Sequence, residues 1–441
     1  MSERHSRRTA AAGVALSLGS ALLILVLTLQ AADNRHHIGV SGLCVLCGEF
    51  GLANILRNIL LFVPLGIGLG LAIRSPLWAW LPALALTTFV ELVQFFVPGR
   101  NPLLIDVVAN AGGAAAGIAF IRLTLWNGVP SLGHRLLQGA LVAVPFLVLG
   151  GTATAFQLAP PPGPHFVQMT PDLYHTRAYP GEVEETRLGD TPLSAGRHPA
   201  PEELTTQLFG GERLAVTVRL AKGSPTRGAL LSIRNQARQE MFYMGIHGDD
   251  LTVRLPYRAA ELRLDGPMVR LHDAVADLHG RMHSQDQGAE KATTEGTGDP
   301  SPPRVDLGYL LVPPNLEPEA RICLVADGMK SCALRPTLGR GWGLLLYPEE
   351  LGRVLHRALD VFWLFGLGLL PGLILRSRGS AIAGGVVLTL FAFFGPAFLQ
   401  SMIVTPATEA LTVACGVLVG RLVRTAPRSL RARNTSSPDR R

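Results

Sequence analysis

Residues 54–68 read NILRNILLFVPLGIG, and residues 88–117 read TFVELVQFFVPGRNPLLIDVVANAGGAAAG. They belong to three apolar segments, each carrying its polar or charged residues at one end only. In water this arrangement would mean little. In lipid a buried Glu, Asp, Asn or Gln costs a few kcal/mol, so it has a partner or a task.

The surrounding chain agrees with lipid. Its 441 residues are 48% hydrophobic and 17% charged, with a mean hydropathy of +0.29. That is too apolar for an ordinary aqueous enzyme and too polar for a chain confined to a bilayer. It predicts spanning helices joined to one aqueous domain. The net charge of +7 comes almost wholly from arginines scattered between apolar runs. There is no basic stripe with interleaved aromatics, which argues against nucleic acid as a partner.

Eight apolar runs predict eight helices, at residues 9–32, 51–73, 76–97, 103–125, 136–156, 358–375, 381–399 and 403–423. The first follows a basic head. It is longer than a secretory signal core, so an uncleaved anchor is the preferred reading. Pro98-Gly99-Arg100-Asn101-Pro102 is a turn, because two prolines and a glycine do not sit cheaply inside a helix. Arg4, Arg7, Arg8, Arg74, Arg122, Arg135, Arg376, Arg378 and the tail arginines fall on one side of this topology. The short loops opposite hold only Arg35 and Arg100. By the positive-inside rule both termini are cytoplasmic.

Between the fifth and sixth runs the composition turns polar and rich in proline and glycine. Residues 213–220, 228–234, 241–246, 251–255, 321–326 and 343–347 read as strands, with turns at 247–250 and Asp327-Gly328. They predict an extracytoplasmic two-sheet sandwich over residues 157–352, with residues 280–304 too polar to fold. The remaining divisions are a cytoplasmic N-tail at 1–8, a membrane domain at 9–156, a second at 353–424 and a basic tail at 425–441. An internal repeat also shows. Leu61-Phe62 through Arg74-Ser75 resembles Leu364-Phe365 through Arg376-Ser377. Asp106, Gly113 and Gly117 share the spacing of Glu409, Gly416 and Gly420. A parallel 4+4 duplication is one explanation, and chance recurrence of small residues in apolar helices is the other.

The topology puts the polar residues in one layer. Asn54, Arg57 and Asn58 lie at the outer end of the second helix, Glu91 and Gln94 near that of the third, and Asp106 and Asn110 in the first turns of the fourth. Spacings of three and four residues place each pair on one face. Two readings stay open: a hydrogen-bonded plug, with Arg57 or Arg100 neutralising Glu91 or Asp106, and a pocket for a headgroup, sugar or peptide.

The order Asn58-Ile-Leu-Leu-Phe62-Val-Pro64-Leu-Gly66, Glu91-Leu-Val-Gln94, Arg100, Asp106, Asn110 and Gly113 resembles the VanZ family of bacterial membrane proteins over residues 40–125. The resemblance implies a polar set of Asn58, Glu91, Gln94, Arg100, Asp106 and Asn110, residence in the bacterial cytoplasmic membrane, and a link to glycopeptide (teicoplanin) resistance. Asn54 stands where that family carries an acid. The outer domain resembles LamG-like or concanavalin-type sandwiches in its 241–255 hairpin, Val325-Ala-Asp327-Gly328 and Gly341-Trp342-Gly343. Such a fold implies a glycan or protein partner, or a purely structural role.

Cys44 and Cys47 suit a disulfide, a redox pair or half a metal site, and the second half of a metal site is missing. Cys323 and Cys332 flank a turn and suit a hairpin disulfide. Cys415 lies in an apolar helix as a small apolar residue. His36-His37 reads as a solvated loop pair. No motif points to a metal, a cofactor or a nucleophile. The expected function is therefore non-enzymatic: binding a lipid-linked precursor or surface glycan or peptide at the outer leaflet, among membrane lipids. The alternatives are an enzyme acting on a lipid-linked envelope precursor, with Glu91 and Asp106 as acid and base, and a small-molecule transporter.

Overall fold

The computed structural model describes residues 3–30, 51–98, 100, 102–125, 131–173, 177–219, 227–266, 268–274, 304–311, 321–326, 329–334, 336–346, 353–375, 377–399, 403 and 405–434. Cys44, Cys47, His36, His37, the Asp327-Gly328 turn and all of segment 280–304 except Arg304 lie outside them.

Five helices come first: α1 (Glu3–Thr28), α2 (Gly51–Ala72), α3 (Pro76–Gln94), α4 (Leu104–Leu125) and α5 (Leu132–Ala155). A β domain follows, containing the short helices α6 (Pro201–Gly210) and α7 (Arg258–Glu261). Three more long helices close the chain: α8 (Arg353–Ile374), α9 (Arg378–Phe398) and α10 (Ala407–Asn434). Among the described residues seven of these helices are long and apolar enough to cross a bilayer. The eighth, α10, carries Glu409, Arg421 and Arg424 in its apolar stretch. Large side chains such as Trp78, Phe89, Leu147, Phe362 and Phe398 stand exposed on the helices. In water that belt would be an aggregation liability; on spanning helices it is the lipid contact.

Helix ends depart from the sequence reading where arginine continues an apolar run. α1 starts at Glu3, inside the expected tail, and α10 continues through Asn434. Arginine is limited in how deep it enters lipid, and it is a good helix former. α5 starts four residues early because Ser131 caps it, accepting from the His134 backbone N–H at 3.4 Å.

The β domain is a two-sheet sandwich. One sheet orders its strands β10-β9-β8-β7-β1-β5: Met268–Leu271, Asp250–Arg254, Glu240–His247, Arg227–Asn235, His165–Met169 and Gly196–Arg197. β2 (Arg177–Ala178) adds to β7 in parallel. The other orders β13-β12-β11-β6-β3-β4: Met329–Leu334, Arg321–Ala326, Arg304–Leu311, Leu214–Arg219, Glu182–Leu188 and Thr191–Pro192. Alternation along β6 turns Leu214, Val216 and Val218 inward. Phe242 of one sheet meets Tyr309 of the other edge to face, with ring centroids 4.9 Å apart. Five expected strands are β6, β7, β8, β9 and β12. The sixth is not a strand: Leu338–Leu344 forms a 3-10 segment instead. Its apolar side chains pack against helices, so the alternation a strand needs never operates.

Two buried apolar clusters divide the molecule. The larger runs from Val216, Phe242 and Tyr309 in the sandwich through Leu338 and Leu344 to Leu364, Leu388 and Val413 of α8–α10, and takes in Leu149 of α5. The smaller is confined to the first four helices and includes Ile24, Phe62, Ala83 and Ile118. The sandwich is thus continuous with the C-terminal helices and meets the N-terminal ones at their ends. There the Ala53 backbone N–H donates to the Arg263 carbonyl at 3.2 Å.

Both halves contain the same close crossing. A Cβ on Gly113 or Gly117 of α4 would overlap the carbonyl of Ile59 or Val63 in α2. One on Gly416 or Gly420 of α10 would overlap that of Phe365 or Leu369 in α8. Only glycine lets the backbones approach so far. At the end away from the sandwich, Arg122 donates to the Ile73 carbonyl, and Arg421 donates to that of Leu375 at 3.1 Å. Each of these arginines covers orphan carbonyls at a helix C-terminus.

Candidate functional site

The polar residues of α2, α3 and α4 meet at the end of the bundle that faces the sandwich. Asn54 Nδ2 donates to Asp106 Oδ1 at 2.9 Å, and the Asn58 side chain bonds the same carboxylate. Arg57 lies within electrostatic reach of Asp106 and donates through Nε to the Ala53 carbonyl at 3.3 Å. Glu91 comes in from α3. Its Oε2 accepts from the Leu103 backbone N–H at 3.0 Å, which satisfies an orphan donor where α4 begins. Glu91 and Asp106 are within electrostatic reach of each other, and both are buried, at 7% and 8% exposure.

The remaining members of the expected set go elsewhere. Asn110, one turn deeper on α4, donates through Nδ2 to Thr87 Oγ1 at 2.9 Å, and its Oδ1 is buried without a hydrogen-bond partner. Gln94 turns to α1 and donates to the Thr28 carbonyl at 3.2 Å. Arg100 does likewise: Nε reaches the Gln30 carbonyl and Nη2 that of Leu27, each at 3.1 Å. Gln94 and Arg100 therefore cap the C-terminus of α1. Arg100 stays within electrostatic reach of Glu91 without giving it a direct hydrogen bond.

A second polar cluster lies at the same end of the C-terminal helices. Glu409 opens α10 and Asp360 sits two turns into α8. The 3-10 segment Leu338–Leu344 sits on both. The Gly339 backbone N–H donates to Glu409 Oε2 at 3.0 Å, and Thr337 also hydrogen-bonds Glu409. Trp342 Nε1 donates to Asp360 Oδ1 at 2.7 Å, and Arg340 Nε pairs with Asp360 Oδ2 at 3.3 Å. A Cβ on Gly339 would fall 2.8 Å from Glu409 Oε1, and one on Gly341 2.8 Å from Thr152 Oγ1. A side chain at either position would have to displace these neighbouring side chains. The repeated acid–glycine spacing pointed to Glu409. Nothing in the sequence singled out Asp360, a lone acid early in an apolar run.

Cys323 is disulfide-bonded, and Cys332 is its register partner across β12 and β13. Cys415 is free and exposed on α10. Among the described residues no three His, Cys, Asp or Glu side chains are grouped to hold a metal ion. A groove of about 570 Å³ opens near the arginine-capped end, lined by Trp80, Ile118, Arg122, His134 and Leu137. It does not include the polar cluster.

A family model described as VanZ/LLP1 matches residues 7–126. The match begins in α1, ends just past α4 and takes in Asn58, Glu91, Gln94, Arg100, Asp106 and Asn110, so this segment is VanZ-like. No curated protein and no solved structure matches the chain.

Proposed function

We propose that the VanZ-like half holds a donor-rich envelope ligand, a lipid-linked or surface-borne glycan or peptide. It does so at the outer face of a bacterial cytoplasmic membrane. One observation supports this above the rest: Asn54, Asn58, Glu91 and Asp106 converge from three helices at the end facing the sandwich. Carboxylates and amide oxygens accept hydrogen bonds, so the complementary ligand brings hydroxyls, amides or an amine. Capping α1 accounts for Gln94 and Arg100. It does not account for two buried carboxylates and two carboxamides sharing one layer.

Sidedness follows from charge. Arg74, Arg122, Arg135, Arg378 and Arg421 gather toward the end away from the sandwich, which the positive-inside rule assigns to the cytoplasm, with both termini. A disulfide at Cys323 favours an oxidising compartment for the sandwich. The sandwich, LamG-like in its hairpins, then offers a second surface to a glycan or protein partner, and lipids surround the helices. Glycopeptide tolerance of the teicoplanin type is the expected phenotype.

The test replaces Asp106 with Asn and Glu91 with Gln in cells. Unchanged protein level with altered glycopeptide tolerance supports the pocket. A fall in level for both variants reduces the cluster to a structural plug. Conversion of a labelled lipid-linked precursor by purified protein would replace binding with catalysis, Glu91 and Asp106 acting as acid and base.

A further inference from the structure

The groove of about 570 Å³ at the arginine-capped end has a basic level and an apolar level, and three helices build both. α4 places Arg122 near its end, with Ile118 and Ala115 one and two turns deeper. α5 places His134 in its first turn and Leu137 a turn deeper. α3 starts with Leu77 at the mouth and has Trp80 a turn deeper. From Arg122 to Ala115 is roughly 10 Å along the helix. Trp80 Nε1 donates to the Ala111 carbonyl at 2.9 Å, which fixes the indole as one wall. Alanine at 115 and 119 leaves the room on the opposite side that a longer side chain would fill.

The rim has one sign of charge. Arg122 donates to the Ile73 carbonyl, the exposed Arg74 follows Ile73, and the exposed Arg135 follows His134. The sequence has no Asp or Glu at 50–90 or at 107–171. The acids of α3 and α4, Glu91 and Asp106, stand at the opposite end, and neither α5 nor the 126–130 link that leads to it carries one. The elements that build the groove therefore supply no countercharge to its rim. Topology alone requires arginines at this end of the helices; it does not require them at the mouth of a cavity. The lips of the groove are continuous with the lipid-facing belt. Leu77 and Leu137 line it at 62% and 39% exposure, beside Trp78 and Leu136, both at 66%. An occupant therefore enters sideways from the bilayer. A small soluble anion would leave the apolar level unused, and a zwitterionic lipid would bring its own cation to a cationic rim.

We infer that this groove binds one anionic phospholipid from the leaflet at the end away from the sandwich. Its phosphate sits at Arg122 and His134, and an acyl chain lies between Trp80, Ala115 and Leu137. The volume falls in the range of sites for single small molecules, and basic pockets between spanning helices suit anionic headgroups. The site stands at the opposite end of the bundle from Asp106 and Glu91, so the two proposals stand or fall separately.

The test uses the full-length protein in phosphatidylcholine nanodiscs doped with a trace of phosphatidylglycerol or of phosphatidylcholine, each carrying a diazirine in its acyl chain. Labelled residues are mapped by peptide mass spectrometry after illumination. The phosphatidylglycerol probe should label Trp80, Ala115 and Leu137 at least about fivefold more than the phosphatidylcholine probe, and unlabelled phosphatidylglycerol should displace it. Leu18 and Leu22, exposed on α1, should take both probes equally. Arg122→Gln should lower groove labelling by phosphatidylglycerol about fivefold. Because Arg122 also caps α2, a second variant, Ala115→Leu, fills the groove from an exposed position and leaves the cap intact. It should abolish the preference at Trp80 and Leu137 while labelling at Leu18 and Leu22 holds. Equal labelling of the groove by both probes would reduce its occupant to bulk lipid and overturn the inference. So would a preference that survives Ala115→Leu, or displacement of the probe by water-soluble glycerol phosphate, which would show that the apolar level plays no part.

Discussion

The two sets of membrane helices differ in how they end. α2 and α4 cross through Gly113 and Gly117, α8 and α10 through Gly416 and Gly420, and arginines cap the end away from the sandwich in both. At the other end α8–α10 merge with the sandwich core, and their acids are covered by Leu338–Leu344. α1–α4 have a second core of their own and reach the larger one through Ala53; Asp106 meets carboxamides and Glu91 a backbone N–H. A polar layer covered by the protein's own chain acts as a joint between domains. One whose described hydrogen-bond partners are carboxamides and a backbone N–H can act as a site. The glycine crossings recur in both halves, and the polar layers above them differ.

The steepest way to break this comparison is through the crossings. Gly113→Leu and Gly416→Leu each drive a side chain into a backbone carbonyl and should cost about 3 kcal/mol. Thermal unfolding in detergent should show both variants falling together; a tolerated substitution in either half would show that the crossings are not equivalent. The next effect separates the halves. Asp360→Asn weakens charge-assisted bonds from Trp342 and Arg340, so it should lower stability by about 2 kcal/mol and expose the sandwich joint to protease. Asp106→Asn should leave protease resistance unchanged. Equal sensitivity in both variants would mean that both acids are structural.

The smallest effect belongs to the sandwich alone. Arg304 and then Arg219 hold the Glu184 carboxyl below its ordinary range through hydrogen bonds and charge. A carboxyl whose folded pKa is depressed adds stability above its unfolded pKa, roughly 4.3, and loses it as pH falls through the folded value. Glu184→Gln should therefore flatten the acid limb of the unfolding profile below about pH 4 and change little at pH 7. The effect is modest because Arg304, the stronger partner, is 71% exposed. An unchanged acid limb would remove this ion pair from the account.

How far the sequence could be read follows from the same physics. Long apolar runs between arginines have one physical reading, so the helices were legible, apart from the ends where Arg7, Arg8 or Arg428 continues a helix past its lipid-facing part. In the sandwich, alternation exposed β6 and β9. β3, with Glu182, Glu184 and Glu185 in seven residues, resembles a polar loop because one face is wet. Residues 343–347 look like a strand because apolar content does not reveal whether the neighbour is a sheet or a helix. Of the candidate site, helical spacing brought Asn58, Glu91 and Asp106 together. It could not tell that Gln94 and Arg100 turn back to α1, since that depends on where α1 ends in space. Asp360 becomes visible only once the two crossings are overlaid.

The central claim is that the N-terminal acids hold a ligand and the C-terminal ones hold the sandwich. The most direct measurement is equilibrium binding of a labelled lipid-linked precursor to the full-length protein in nanodiscs, comparing unaltered protein with Asp106→Asn and Asp360→Asn. The account predicts saturable binding that is lost with the first variant and kept with the second. Binding that is absent, or equal in all three proteins, would contradict it.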